Sequence, residues 1–372
     1  MESDYRIINK TDPKYNMRVL YKSRFLATLV REKPNDKKGF QIERRLFMKK
    51  AIKFLVSLVI SGTALTIIPF NAFATGTMPT RLSGVTAEQT AVQIADQTGW
   101  TGTAILASST SYGMIDALTA GPLAYSLKAP ILLTGAENEL DRSTKEELTK
   151  LEVKTVYVTS GTAVIKQSVI DEIKSMGITL IPLGGKDKYA TSVNIAKQME
   201  GVTKVAIANS VPDALSIASI ASANNEPILL TDKDAVPTVV ISYLAENTGI
   251  TASDIIGGTG IISEAVETKL PSPSRHFGQT AYDTNNEVIQ HFDSSLKYDH
   301  IFIANAETGI DALAGAPLAA MTNSPIELTN GKTVPAVADL LYRKAPVGSI
   351  NTALGGEAVV PETVRTGMAV GK

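Results

Sequence analysis

Hydrophobic and polar positions along this chain alternate between two patterns. Short, wholly apolar runs predict strands buried on both faces, and longer stretches with apolar residues every three or four positions predict helices. Ala104–Ala107 reads as a strand, Asp116–Leu127 as an Ala- and Leu-rich helix, and Ile131–Leu133 as a strand entered through Pro130, where a missing N–H is tolerated. Ser143 and Glu146 have the spacing of a capping box for a helix reaching about Leu151. Thr155–Val158, β-branched and aromatic, predicts a strand, and Ala163–Met176 an amphipathic helix closed by Gly177. Ile178–Leu183 predicts the next strand and Thr191–Gln198 the next helix. The scheme returns in Lys204–Ala208, Ile228–Leu230 and Asp254–Ile256, and again in His300–Ala304, Ile326–Leu328 and Ser349–Leu354. The expected fold is therefore α/β, with mostly parallel sheets covered by helices on both faces.

The alternation has a longer period. Asp116-Ala117-Leu118 returns at Asp213 and at Asp311, steps of 97 and 98 residues. Pro130-Ile131-Leu132-Leu133-Thr134 returns as the pentapeptide ending in Thr231 and, with Glu327 in place of Leu, as the one ending in Thr329. Gly161, Gly258 and Gly356 keep the same step. The chain thus holds three copies of one unit. No Pro- or Ser-rich linker divides them, so the units are expected to pack on one another.

The repeated Asp, Thr and Gly positions all follow strands, at the edge where open α/β sheets bind ligands. That makes Asp116, Asp213, Asp311, Thr134, Thr231 and Thr329 candidate binding residues. The same residues have structural duties to weigh against this. Asp before Ala-Leu suits a helix N-cap, worth about 1 kcal/mol; Thr can close a strand through its hydroxyl, and Gly can make the turn. Pro122 and Pro317 within the stretch after the Asp suggest a tightened first turn, with the helix proper beginning near them.

Charge changes the picture of the N-terminus. Residues 1–74 carry 15 Lys and Arg against 6 Asp and Glu, so the remainder holds a net −10 of the overall −1. A body this acidic argues against nucleic acid as a partner, and it requires a local basic cluster for any anionic ligand. Met48-Lys49-Lys50, the apolar run Ala51–Phe70 and Ala72-Phe73-Ala74 have the form of a secretory signal peptide over 48–74. Residues 1–47 read as an extension from a start codon assigned too early. On this reading the protein is exported, carries no membrane anchor after cleavage, and divides into copies at 75–181, 182–274 and 275–372. The chain contains no Cys, which excludes disulfides and thiol nucleophiles.

Catalytic patterns stay at background. His276, His291 and His300 all lie in the last copy and lack metal-site spacing. Gly258-Thr259-Gly260 lacks the third Gly of a dinucleotide fingerprint, and Gly331-Lys332-Thr333 lacks the first Gly of a P-loop. Asp232-Lys233-Asp234 is not repeated, and Ser294-Ser295-Leu296-Lys297 is common by chance. The expectation is a protein without catalysis or cofactor.

The segments that open the copies complete a recognisable pattern: Arg81-Leu82-Ser83-Gly84, Gly184-Gly185-Lys186-Asp187-Lys188-Tyr189, and Arg275-His276-Phe277-Gly278 followed by Tyr282. With Asp-Ala-Leu, Pro-Ile-Leu-Leu-Thr and the late Gly, the chain over about 79–368 resembles the cell wall binding repeat 2 family of Gram-positive bacteria. The resemblance implies three Rossmann- or Toprim-like units packed as a pseudo-threefold trimer within one chain. It also implies a non-catalytic surface anchor for an anionic, teichoic-acid-like wall polysaccharide, located at the cell wall. Arg81, Lys186, Lys188 and Arg275, with Tyr189 and Tyr282, are then the candidate polymer contacts. Thr86-Ala87 and Thr280-Ala281 replace the family's Asp-Arg, and Pro182 stands where its Arg would be. Two rivals remain at this level: a surface-layer component acting through protein contacts, and a peptidoglycan amidase.

Overall fold

The computed structural model describes residues 78–335 and 343–368. The signal-peptide reading, residues 48–74, falls outside them.

Among the described residues, twelve strands form three four-stranded sheets, every pairing parallel. The first sheet runs β3 (Ile131–Thr134), β2 (Thr103–Ser108), β4 (Thr155–Val158), β5 (Thr179–Pro182). The second runs β7 (Ile228–Leu230), β6 (Lys204–Ala208), β8 (Ala252–Ile256), β9 (Pro273–His276). In the third, β11 (Ile326–Thr329), β10 (His300–Asn305) and β12 (Ile350–Leu354) keep the same order, and the fourth place is taken by β1 (Arg81–Leu82) from the beginning of the described chain. Arg81 pairs with Ala353 and Leu82 with Leu354.

The strand that opens each copy therefore lies in one sheet, and the helix after it packs on the next. Helix α1 (Ala87–Thr98) packs on β3, α6 (Lys188–Ala196) on β7, and α10 (Ala281–His291) on β11. Three crossing loops, 83–86, 184–187 and 277–280, stitch the units into a ring closed by β1.

The centre of the ring is helical. Helices α3 (Ala120–Leu127), α7 (Val211–Ala223) and α11 (Ile310–Met321) pack on one another, and α7 and α11 are buried on nearly every side. Small residues permit the approach: a Cβ on Gly121 would stand 3.1 Å from Ser222 Oγ and 3.3 Å from Ala316 Cβ. One core joins Ile105, Ile131, Leu215, Ile228, Phe302 and Leu328 from all three units. Each outer sheet face has a core of its own, around Leu132, Leu229 and Ile303 respectively. In the third outer layer Glu327 occupies the register of Leu132 and Leu229 and is fully buried.

Local differences from the sequence expectation have local causes. The stretch 116–127 is broken into α2 (Met114–Ala117) and α3, with Pro122 in the first turn of α3, so there the helix proper does begin beside the Pro; in the third copy it does not, because Pro317 lies inside the unbroken α11. None of the three Asp is an N-cap. Ser210 caps α7 and Asp213 sits in its first turn; Gly309, at φ 67°, precedes Asp311. The cap of α4 (Arg142–Lys150) is Asp141, not Ser143, because its carboxylate accepts the Thr144 N–H at 3.1 Å and suits the positive helix end better than a hydroxyl. Helix α5 is shorter than expected, Gln167–Ser175, though Gly177 adopts the expected left-handed conformation at φ 78°.

Candidate functional site

The carboxyl ends of the strands meet the crossing loops at three seams, and the sequence candidates fall at these seams. The helices that leave the first strand of each unit converge there: a Cβ on Gly309 would lie 3.0 Å from Leu215, 3.2 Å from Val211 and 3.4 Å from Met114, which places all three units in contact. The three Asp lie in the first turns of these converging helices or just ahead of them.

Asp213 and Asp311 are only 4% and 5% exposed, and burial pushes both carboxyls up to about 6. The Ser210 hydroxyl donates to Asp213 at 2.6 Å and opposes that shift. Asp311 has no hydrogen-bond partner among the described residues. Asp116 is more open; burial raises its carboxyl, and Ser160 and Thr191 hydroxyls pull it back. Thr191 belongs to the next copy, so this acceptor is shared across a seam. None of the three has a cation within ion-pair distance among the described residues. Asp213 and Asp311 are underused acceptors, each set against a Gly at a strand end. Gly257 (φ 122°) and Gly355 (φ 103°) pass so close that an added Cβ would meet Asp213 Oδ2 at 2.9 Å and Asp311 Oδ2 at 2.5 Å. The position that demands glycine is thus one residue ahead of Gly258 and Gly356 in these two copies.

Arg81 and Arg275 are equivalent and already engaged. Arg81 Nη1 donates to the Gly355 carbonyl at 2.8 Å and Nη2 pairs with Glu362 at 3.1 Å. Arg275 Nη1 donates to the Gly257 carbonyl at 2.7 Å and Nη2 pairs with Glu267 at 2.7 Å. Arg365 and Arg81 together hold the Glu362 carboxyl down to about 2. Both guanidinium groups therefore clamp a strand end to the helix that follows it. Arg275→Gln is expected to cost about 2 kcal/mol, because a largely buried charge-assisted clamp is lost. Thermal denaturation checks this, with Lys186→Gln as the silent control; equal midpoints for the two variants would show the clamp to be idle.

Lys186 is exposed and has no partner among the described residues. Lys188 holds its ammonium 5.1 Å from the Tyr189 ring centre. The Tyr189 hydroxyl bonds to Asp232, and burial together with that carboxylate pushes the phenol up to about 12. Tyr282 is half-buried, its phenol raised by burial and by Glu307. Thr231 and Thr329 close their strands as expected, donating to the Ala235 and Thr333 carbonyls at 3.3 and 3.2 Å. Thr134 is buried with its hydroxyl unpartnered. His276 is buried against Asp254 at 3.1 Å and stacks on His291 with ring centres 4.1 Å apart; neither joins the shared seam pattern.

Each crossing loop also carries a pair that motif reading had not singled out for a role. Gly84, Gly185 and Gly278 donate their N–H to Thr90, Thr191 and Thr284 at 3.0, 2.9 and 3.0 Å, always six residues on. A Cβ at any of these glycines would collide with the first turn of the following helix, with backbone atoms at 2.5–2.9 Å. The constant spacing was the available signal.

The arrangement can hold a hydroxylated or amide-bearing ligand by hydrogen bonds at the carboxyls, with positive charge from Lys186 and Lys188 at one seam and from the internally engaged Arg81 and Arg275 at the other two. Among the described residues no three carboxylate or imidazole side chains are arranged to hold a metal ion.

Comparison with known proteins supplies the context. The family described as Cell wall binding domain 2 matches residues 81–170, 183–267 and 275–365. N-acetylmuramoyl-L-alanine amidase LytC of Bacillus subtilis (strain 168) is 34% identical over 257 residues, 68% of this chain and 51% of that protein. The amidase enhancer of the same organism is 34% identical over 229 residues, 60% of this chain and 31% of that protein. The chain thus spans about half or less of the curated relatives it matches. Among solved structures, Cwp6 from Clostridium difficile superposes with a TM-score of 0.72 at 28% identity, covering 78% of this chain and 47% of that one. Cwp8 from the same organism gives 0.69 at 21% identity, covering 97% and 60%, a likeness of fold.

Proposed function

Because the chain belongs to the cell wall binding domain 2 family, we propose that it is a non-catalytic anchor that holds an exported protein to an anionic wall polysaccharide through the seams between its units. The observation that carries the reading is the threefold family match; the half-buried Asp116 and the buried Asp213 and Asp311, set where the copies meet, support it as acceptors. A wall-binding role and a place at the cell surface follow from the family itself. The amidase activity named for the relative belongs to that protein; in this chain the candidate residues supply acceptors and charge without a nucleophile beside a base.

Charge assigns the roles. The body is acidic, so the polymer's anionic groups meet the ammonium groups of the exposed Lys186 and the half-buried Lys188 at the seam between the first two units. Arg81 and Arg275 bring charge to the other two seams, with much of their hydrogen-bonding capacity spent inside the fold. Asp116, Asp213 and Asp311 accept from sugar hydroxyls, and Tyr189 and Tyr282 line the loops beside them. The doubly substituted Lys186→Gln/Lys188→Gln protein is expected to bind purified walls about tenfold more weakly, with a flatter dependence on salt. Sedimentation with walls at several salt concentrations measures this; binding equal to the parent protein throughout would remove the anionic polymer as the target of this seam.

A further inference from the structure

The three seams are equivalent in backbone but not in chemistry. Phe277 stands where the other copies carry Ser83 and Gly184, just after an edge strand, and is 50% exposed. Its ring lies over Gly258, where an added Cβ would meet Cδ2 at 3.2 Å. The half of the ring left open is a flat apolar face available to a ligand that can stack on it. It forms part of an open groove of about 430 Å³ between β9 and α10, with Arg275, His276, Glu287, Gln290 and His291 as the other lining residues. That volume lies within the range of small-molecule sites, roughly 300–1,000 Å³.

The lining selects the class of ligand. Glu287 and Gln290 are exposed and their side chains make no hydrogen bond among the described residues, so a carboxylate and an amide stand ready along the wall. His291 is stacked on His276, and burial together with His276 lowers its pKa, which favours the neutral imidazole with one donor and one acceptor. The guanidinium of Arg275 is turned to Gly257 and Glu267. With Glu287 and Glu267 close by, an anion is disfavoured here. An aromatic face flanked by a carboxylate, an amide and a neutral imidazole matches a pyranose. Its C–H face is apolar and slightly positive, suiting the ring's negative face, and its equatorial hydroxyls reach the polar rim.

We infer that the groove between β9 and α10 is a neutral-sugar subsite, with Phe277 as the stacking platform and Glu287, Gln290 and His291 as the hydroxyl contacts. It rests on the wall-binding reading and deepens it, because charged and uncharged parts of one polymer are met at different seams: Lys186 and Lys188 take the anionic groups, and the Phe277 groove takes an uncharged sugar.

The test uses the full chain, purified walls, and neutral oligosaccharides released from those walls by cleaving their phosphodiesters and removing phosphate. The parent protein is expected to transfer saturation from aromatic protons to sugar C–H protons, and to shift those protons upfield. Phe277→Ala is expected to lose both signals and to bind the oligosaccharides about tenfold more weakly with an unchanged melting temperature. Phe277→Tyr is expected to restore them, and Gln290→Ala to weaken binding while keeping the upfield shift. Oligosaccharide binding that is insensitive to Phe277→Ala, or absent while intact walls still bind, overturns the subsite and leaves the anchor reading standing. Failure of the parent protein to bind intact walls overturns both.

Discussion

Deleting residues 78–84 is expected to unfold the third unit and, through the shared core, to lower the stability of the whole ring by about 5 kcal/mol or more. The deletion removes β1, the edge strand of the third sheet. Leu82 is almost fully buried in the core common to all units, and a Leu lost from such a site costs about 2–5 kcal/mol. With it go the Ala353 N–H bond to Thr80 at 3.0 Å, the Gly355 N–H bond to Leu82 at 2.9 Å and the Thr352 hydroxyl bond to Pro79 at 2.6 Å. The Arg81 clamp on Gly355 and Glu362 goes too. Calorimetry should show the main transition moving down as one event, since α3, α7 and α11 bind the units into one cooperative body. A truncated protein that melts where the parent does would show that β1 is only laid against the ring.

Replacing Glu327 by Leu is expected to stabilise the protein by an amount that grows with pH. The carboxyl is fully buried in the third outer layer with both oxygens unpartnered among the described residues, and burial pushes it up to about 8. Its unfolded value is 4.5, so the folded protein binds the extra proton between those limits. The stabilising contribution of this carboxyl is therefore greatest below about pH 4.5, is lost as pH rises toward 8, and levels off above it. Leu in the same register, as Leu132 and Leu229 already show, removes both the titration and the unpaired polar group. At pH 8 the gain should be on the order of 4 kcal/mol, and near pH 4 much smaller. Glu226 is also almost fully buried and raised to about 8, by burial and by Asp254, and keeps the same sign of slope in the variant. Denaturant melts across this range measure the difference, and a gain that stays flat with pH would mean that Glu327 is paired and ionised in the fold.

Recurrence at a fixed step was enough to count three units and to place parallel strands between helices, because strand burial and helix periodicity are local properties of the chain. Glu327 was visible as a departure from its Leu counterparts, and the charge deficit of the body pointed to Lys186 and Lys188 as the cations to examine. What linear order could not show was which sheet each opening strand joins. β5 and β9 stay with the sheet before them, and β1, the first strand of the described residues, joins the last sheet. That choice depends on an edge made free by residues more than two hundred positions away. The same holds for the side chains. Arg81 and Arg275 looked like cations free for a polymer until the fold set Gly355 and Gly257 carbonyls and two glutamates against them. Asp213 and Asp311 had the sequence position of caps, and only packing decided that they are buried acceptors. The sequence determines which groups are present and how often they recur. The tertiary structure decides which are already satisfied, because a donor or a charge loses its availability only when something distant in the chain is brought against it.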